Sequence, residues 1–189
     1  MNKYIENTDF SLLEQFVKER GTVRSFGKKE FFVEQGGKSL YMGFVESGAF
    51  RYVKTDSRGN EHTIGYAFQN EYIAEYAAYL YRVPSLLAIQ AVTDSVIYTL
   101  PLDTMYAYWE TNMETQRLGR IAAEQLYAQL YERVISLHSE TPEERYLNLT
   151  GQCPDILNIL SLKDIASYLS VTPETISHIR KKILTSRNS

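Results

Sequence analysis

Cysteine is nearly absent. The single copy, Cys153, cannot close an internal disulfide, and no cysteine cluster is available for zinc or an iron–sulfur centre. Only three histidines occur, His62, His138 and His178, too far apart in sequence to form a metal motif. No metal and no cofactor are therefore expected, and Cys153 reads as a structural thiol. Long apolar runs are missing as well. Nothing approaches the roughly 20 residues of a membrane span. The first ten residues, MNKYIENTDF, are too polar for a secretory signal. A cytoplasmic protein with no membrane partner is expected. Excess positive charge is also lacking, since 189 residues carry a net charge of −3. No nucleophile–base pair and no His/Glu metal set appears, which argues against an enzyme, including one built on a cupin-like β scaffold.

What is present is enough for a packed core. Hydrophobic residues make up 44% of the chain and charged residues 23%, which excludes disorder as the general state. Tyrosine is abundant, with 15 copies. The charge is unevenly spread. From Ser161 onward Lys163, Arg180, Lys181, Lys182 and Arg187 stand against Asp164 and Glu174, a net +3 that leaves −6 on residues 1–160. A small basic module on an acidic body suits a local anionic partner.

Residues 9–20 read as a short helix with Leu12, Leu13, Phe16 and Val17 on one face and Gly21 as its stop. From Ser25 to Pro101 the pattern becomes that of short strands: FFVEQ, LYMGFVES, AFRYVKT, HTIGYAF, LLAIQAV and SVIYTLP. Turn-forming residues separate them, and DSRGNE, with Gly59, is the clearest hairpin tip. Regular spacing of this kind predicts a β sandwich or barrel. The segment NEYIAEYAAYLYRVP, Asn70 to Pro84, interrupts it with a short helix or compact loop. Inserted segments are where β-barrels often place a ligand.

One helix is predicted from Leu102 to Leu137. Met113, Leu118, Ile121, Ala122, Leu126, Leu130, Val134 and Leu137 form one apolar stripe, and Ala123, Tyr127, Tyr131 and Ile135 a second. Two stripes need two coverings: the helix's own β domain, and the same helix of a second subunit. Arg120, Glu124, Glu132 and Arg133 argue against complete burial in a monomer. A further helix starts at SETPEER, with Thr141 as N-cap, Pro142 in the first position and Glu144 closing a capping box, and runs to about Thr150 before Gly151 and Pro154.

The stretch SLKDIASYLSVTPETISHIRKKI, Ser161 to Ile183, is the most informative. Ser161 caps a helix whose Leu162, Ile165, Ala166 and Leu169 share a face. Ser170 and Val171 make a turn, Thr172 caps the next helix, and Pro173 opens it. Ile176, Ile179 and Ile183 face inward. The opposite face holds Pro173, Glu174, Ser177, His178 and Lys181, flanked by Arg180 and Lys182, with Thr175 beside them. A recognition helix of a helix-turn-helix needs such a face: its first turns reach base edges and its basic residues hold phosphates. Glu174 is suited to a cytosine amino group and His178 to guanine or phosphate; Arg180, Lys181 and Lys182 are phosphate contacts. The alternative is a solvated helical hairpin that docks a protein partner.

In this order of elements the chain resembles the Crp/Fnr family of bacterial transcription regulators. LYMGFVESGAFRYVKTDSRGNEHTIGYAFQNEYIAE is similar to the family's strand run into its nucleotide cassette, with Gly48 and Gly59 at the matching turns, and VTPETISHIRKK is similar to its recognition helix. The resemblance implies an α+β chain. Residues 1–108 would be a β-roll of the cyclic-nucleotide-binding type, a double-stranded β-helix that serves as effector or sensor domain. Residues 109–138 would be a dimerisation helix, and residues 139–189 a helix-turn-helix domain. It further implies a homodimer on a pseudo-palindromic double-stranded DNA operator, RNA polymerase as a partner, and an effector of unknown identity. Three features depart from the family. The Gly-Glu pair of the cassette reads Ala74-Glu75, and the Arg-Ser positions fall on Ser85 and Leu86, so the cation for a cyclic phosphate is missing. Arg82 lies three residues early. Glu75, Ser85 and Leu86 are thus the candidate effector residues, with weak or no cyclic-AMP binding expected. The tyrosines Tyr72, Tyr76, Tyr79 and Tyr81 beside the cassette suit packing, or an aromatic ligand. At the end, the sequence stops at Ser189 with no room for a full β wing. Pro173 and His178 stand where arginine occurs in the family, whereas Glu174 is retained.

Overall fold

The computed structural model describes residues 9–187. Helix α1 (Ser11–Arg20) comes first and ends at the extended Gly21, where a Cβ would collide with the Val17 carbonyl and so only glycine fits. Eight strands follow: β1 (Thr22–Phe26), β2 (Phe31–Val33), β3 (Tyr41–Ser47), β4 (Phe50–Thr55), β5 (Glu61–Ala67), β6 (Tyr72–Ile73), β7 (Ala88–Ala91) and β8 (Ser95–Pro101). The short helix α2 (Tyr76–Tyr81) lies between β6 and β7. The six anticipated strands are all present. Strands β1 and β6 were not anticipated, because TVRSF is mostly exposed and β6 is only two residues long.

All pairings are antiparallel, in two four-stranded sheets of order β1-β8-β3-β6 and β2-β7-β4-β5. Facing side chains of the two sheets form the core of the roll: Phe26, Val45, Ile73 and Ile97 from the first, Val33, Phe50, Ala67, Ile89 and Ala91 from the second. The β4–β5 hairpin turns at the expected tip, where Gly59 takes φ +84° and the Asp56 carboxylate accepts from the amides of Arg58 and Asn60. His62 meets the same carboxylate at 3.0 Å, a structural role. The outer face of the first sheet is covered too. Leu13 and Val17 of α1 pack with Met42, Phe44, Leu100 and Met105, which explains why β3 is buried on both faces.

The single helix expected over 102–137 is two. Helix α3 (Leu102–Trp109) ends at a break, and α4 (Met113–Ser139) restarts beyond it. The reason is Asn112. It is extended, its side chain accepts from the amides of Glu114 and Thr115, and Thr115 returns the bond to the Asn112 amide. That capping box is a strong helix start. Gly151, expected to end the next helix, lies inside α5 (Pro142–Gln152), which stops at Cys153, just before Pro154. Thr141, Pro142 and Glu144 form the anticipated N-terminal box. A short α6 (Ile156–Ile159) precedes α7 (Leu162–Tyr168) and α8 (Pro173–Arg187). Together α5–α8 enclose a separate core of Tyr146, Ile156, Leu160, Ile165, Ala166, Leu169, Ile176 and Ile179, with Cys153 half-buried against it.

Candidate nucleic-acid interface

Helices α7 and α8 form the helix-turn-helix. The Ser161 hydroxyl accepts from the Asp164 amide and caps α7. The turn is made by Ser170, at φ +57°, and by Val171, whose amide donates to the Ala166 carbonyl at 3.0 Å. Ala166 is small where the helices cross, as its 1% exposure shows. The Thr172 hydroxyl accepts from the Thr175 amide at 3.3 Å and caps α8. Ile176 and Ile179 turn into the core, so the opposite side of α8 is fixed outward.

On that side Thr172, Pro173, Glu174, Ser177, His178 and Lys181 are all exposed, and Thr175 is half-buried. The Ser177 hydroxyl donates to the Pro173 carbonyl, so it is turned back on its own helix in this state. Glu174 is held below the ordinary carboxylate range, first by its own backbone amide and then by the Thr172 hydroxyl. It is an acceptor at neutral pH. The three cations differ. Lys181 is exposed, Arg180 is half-buried, and Lys182 pairs with Glu143 of α5 at 2.5 Å. The pairing with Glu143 spans 39 residues and left no mark in the local pattern. Lys182 must leave it to reach a phosphate.

The candidate effector residues are committed elsewhere. Glu75 is buried, and its carboxylate accepts from the Ala78 amide at 2.9 Å, capping α2. The Ser85 hydroxyl donates to the Leu87 carbonyl, while its backbone bonds Gly36 and Gly37. Leu86 is 63% exposed and does not join them. Arg82 adopts φ +54°, lies over the Tyr79 ring and faces Asp103 at 3.6 Å. Sequence reasoning missed Tyr52, which packs against the roll core. Burial pushes its phenol above the usual value, a hydrogen bond with the Ala74 backbone opposes this, and the charges of Glu71 and Glu75 add to it. Tyrosines Tyr76, Tyr79 and Tyr106 pack against one another, and Tyr79 donates to Asp103. They knit α2 to α3. Among the described residues, no group of histidine, cysteine and carboxylate side chains could hold a metal ion, and no helix is long and apolar enough to cross a membrane.

Along α4, only Thr115 is fully buried. Its first turns pack on α3, where Leu118 joins the cluster around Trp109. Beyond Ile121 the two apolar stripes diverge from expectation: neither is covered by the described residues. Leu126, Tyr127, Leu130, Tyr131, Val134 and Ile135 are all exposed. Arg120 pairs with Glu124 at the surface, whereas Arg133 is half-buried over the ring of Tyr168.

Comparison with known proteins agrees with this architecture. Residues 23–112 match the cyclic nucleotide-binding domain. No curated protein sequence matches the chain. Among solved structures, FixK2 from Bradyrhizobium japonicum superposes with a TM-score of 0.75 at 22% identity, over 88% of this chain and 85% of that one. The c-di-GMP responsive global regulator CLP of Xanthomonas campestris gives 0.70 at 13% identity, over 94% and 93%. A Crp/Fnr-family regulator from Eubacterium rectale gives 0.70 at 13%, over 96% and 87%. At these identities the likeness is one of fold. Residues 23–112 are thus similar to the cyclic nucleotide-binding domain, and the chain as a whole is Crp/Fnr-like in fold.

Proposed function

We propose that this chain is a homodimeric, sequence-specific DNA-binding regulator of transcription that does not respond to cyclic AMP. The observation that carries the reading is the outward face of α8. A capped, well-cored helix-turn-helix presents Glu174, Ser177, His178 and Lys181 to solvent, with acceptor, donor and cationic chemistry in the first three turns. That is the chemistry of base-edge and phosphate contact. The uncovered apolar face of α4 supports the homodimer, since pairing two copies would bury it and set two recognition helices on successive turns of a pseudo-palindrome about 34 Å apart. RNA polymerase would be the onward partner of such a regulator.

Insensitivity to cyclic AMP rests on the cassette. Glu75 is taken up by the Ala78 amide of α2, Ser85 replaces the cation, and Tyr52 reaches the Ala74 backbone from inside the roll. Selection of bound genomic fragments followed by footprinting tests the DNA reading. Glu174→Ala and His178→Ala are expected to weaken binding and relax preference at separate base positions. Unchanged footprints with both would reject the face, and no selected DNA at all would favour a protein-docking role. Calorimetry with cyclic AMP and cyclic GMP tests the second clause; low-micromolar binding refutes it.

A further inference from the structure

Helix α7 has a second working face. Ile165, Ala166 and Leu169 enter the core of the helical domain, but Asp164, Ser167 and Tyr168, at i, i+3 and i+4, lie on the outer surface of the β4–β5 hairpin. The contacts are of three kinds. Thr63, buried on the edge strand β5, donates its amide to the Ser167 hydroxyl at 2.9 Å, so the helix satisfies a sheet-edge donor that water does not reach. Arg51 of β4, held by Gln90 and Glu61, faces Asp164 at 3.5 Å. The rings of Tyr66 and Tyr168 meet at 5.4 Å.

Tyr168 is also held from the other side. The Arg133 guanidinium of α4 lies 3.9 Å from its ring centroid and donates to its carbonyl. Arg145 of α5 donates to the next carbonyl, Leu169, at 3.2 Å. The C-terminal end of α7, where carbonyls lack helical partners, is therefore gripped by two cations. One residue joins three parts of the molecule: the roll through Tyr66, the long helix through Arg133, and the turn of the helix-turn-helix through its own backbone. Throughout this docking the outward face of α8 stays exposed, so the contact orients the recognition helix without covering it.

We propose that Ser167 and Tyr168 are positioning residues that fix α8 relative to α4 and the roll, so that this joint sets the half-site spacing a dimer accepts. The inference rests on the DNA-binding reading above. Two recognition helices on a rigid joint reach only one spacing, and a loosened joint tolerates several.

The test compares affinity for a selected operator with affinity for the same half-sites separated by one or two extra base pairs. The wild-type protein should discriminate steeply. Ser167→Ala and Tyr168→Leu should each reduce that discrimination by roughly 3- to 30-fold, the range of couplings carried by packed networks. Tyr168→Phe keeps the ring and should behave as wild type. Because Tyr168→Leu also touches the domain core, Ser167→Ala, a helix-favouring change on a polar face, is the decisive variant. Unchanged discrimination in Ser167→Ala and Tyr168→Leu overturns the proposal. So does tighter operator binding, which would make the docking obstructive. Hydrogen exchange of the Thr63 amide is the second readout: faster exchange in Ser167→Ala supports the joint, and unchanged exchange overturns it. If the wild type selects no DNA, the functional reading fails, but the Thr63 amide still decides whether the joint exists.

Discussion

Removing one leucine from α4 offers a quantitative test of the dimer. Leu130 sits mid-helix, is 55% exposed and lies between exposed Leu126, Tyr127, Tyr131 and Val134. It belongs to none of the hydrophobic clusters formed by the described residues, and alanine is the better helix former, so Leu130→Ala should leave the protomer folded. Burying a whole leucine contributes about 1.5–3 kcal/mol, so covering its exposed half contributes roughly 1–1.5 kcal/mol per protomer. A twofold interface counts the change twice, about 2–3 kcal/mol, which raises the dimer dissociation constant roughly 30- to 160-fold. Sedimentation across a concentration series measures this directly. Operator binding should weaken in parallel at concentrations below the new constant, and recover above it. A wild-type chain that stays monomeric at tens of micromolar would refute the reasoning. So would a dimer whose dissociation constant Leu130→Ala leaves unmoved, since the interface would then lie elsewhere.

Other outcomes follow from the same contacts. Asn112→Ala removes the acceptor for two amides at the start of α4 and should cost about 1 kcal/mol in denaturant unfolding. The two helical glycines should respond with opposite signs. A Cβ at Gly119 would come within 2.9 Å of the Trp109 ring, so Gly119→Ala should lower the melting temperature, whereas Gly151 has open space around it and Gly151→Ala should gain roughly 0.5–1 kcal/mol. Glu144 is held below its ordinary value, first by the Thr141 amide and then by the Thr141 hydroxyl. Its contribution is therefore complete above the unfolded carboxylate value and is lost as pH falls through the lower folded one. Between pH 7 and pH 3 the wild type should lose an increment of stability larger than Thr141→Ala loses. Affinity for DNA should fall steeply with added salt, and Lys182→Ala should flatten that dependence less than Lys181→Ala, because Lys182 first has to leave Glu143.

Local chemistry made much of this fold legible. Strands announced themselves by β-branched and aromatic runs between turns. The starts of α5, α7 and α8 were written in Thr141, Ser161 and Thr172, each followed at the right distance by its partner. The break before α4 was written as plainly in Asn112 and Thr115, but apolar periodicity on both sides of it suggested one helix. Strand β6 escaped because two residues hold no period, and its place depends on Phe44 across the sheet. In the candidate interface the outward face of α8 followed from helical spacing alone. What spacing does not carry is the state of each cation, since Lys182 is tied down by a residue 39 positions away.

The same limit explains why the cassette was half legible. Losing arginine at its usual place was visible in the sequence, and so was the retained Glu75. The fate of Glu75 was not, because a carboxylate facing a ligand and one capping a short helix occupy the same position in the chain. The Ala78 amide, which donates to the Glu75 carboxylate, decides for the cap. Tyr52 comes from a strand some twenty residues earlier and is brought to Ala74 only by closure of the roll. If the inside of the roll is satisfied by its own side chains, its outside becomes the more informative surface. There Arg51, Thr63 and Tyr66 meet Asp164, Ser167 and Tyr168, so the β4–β5 hairpin is in direct contact with the first helix of the helix-turn-helix.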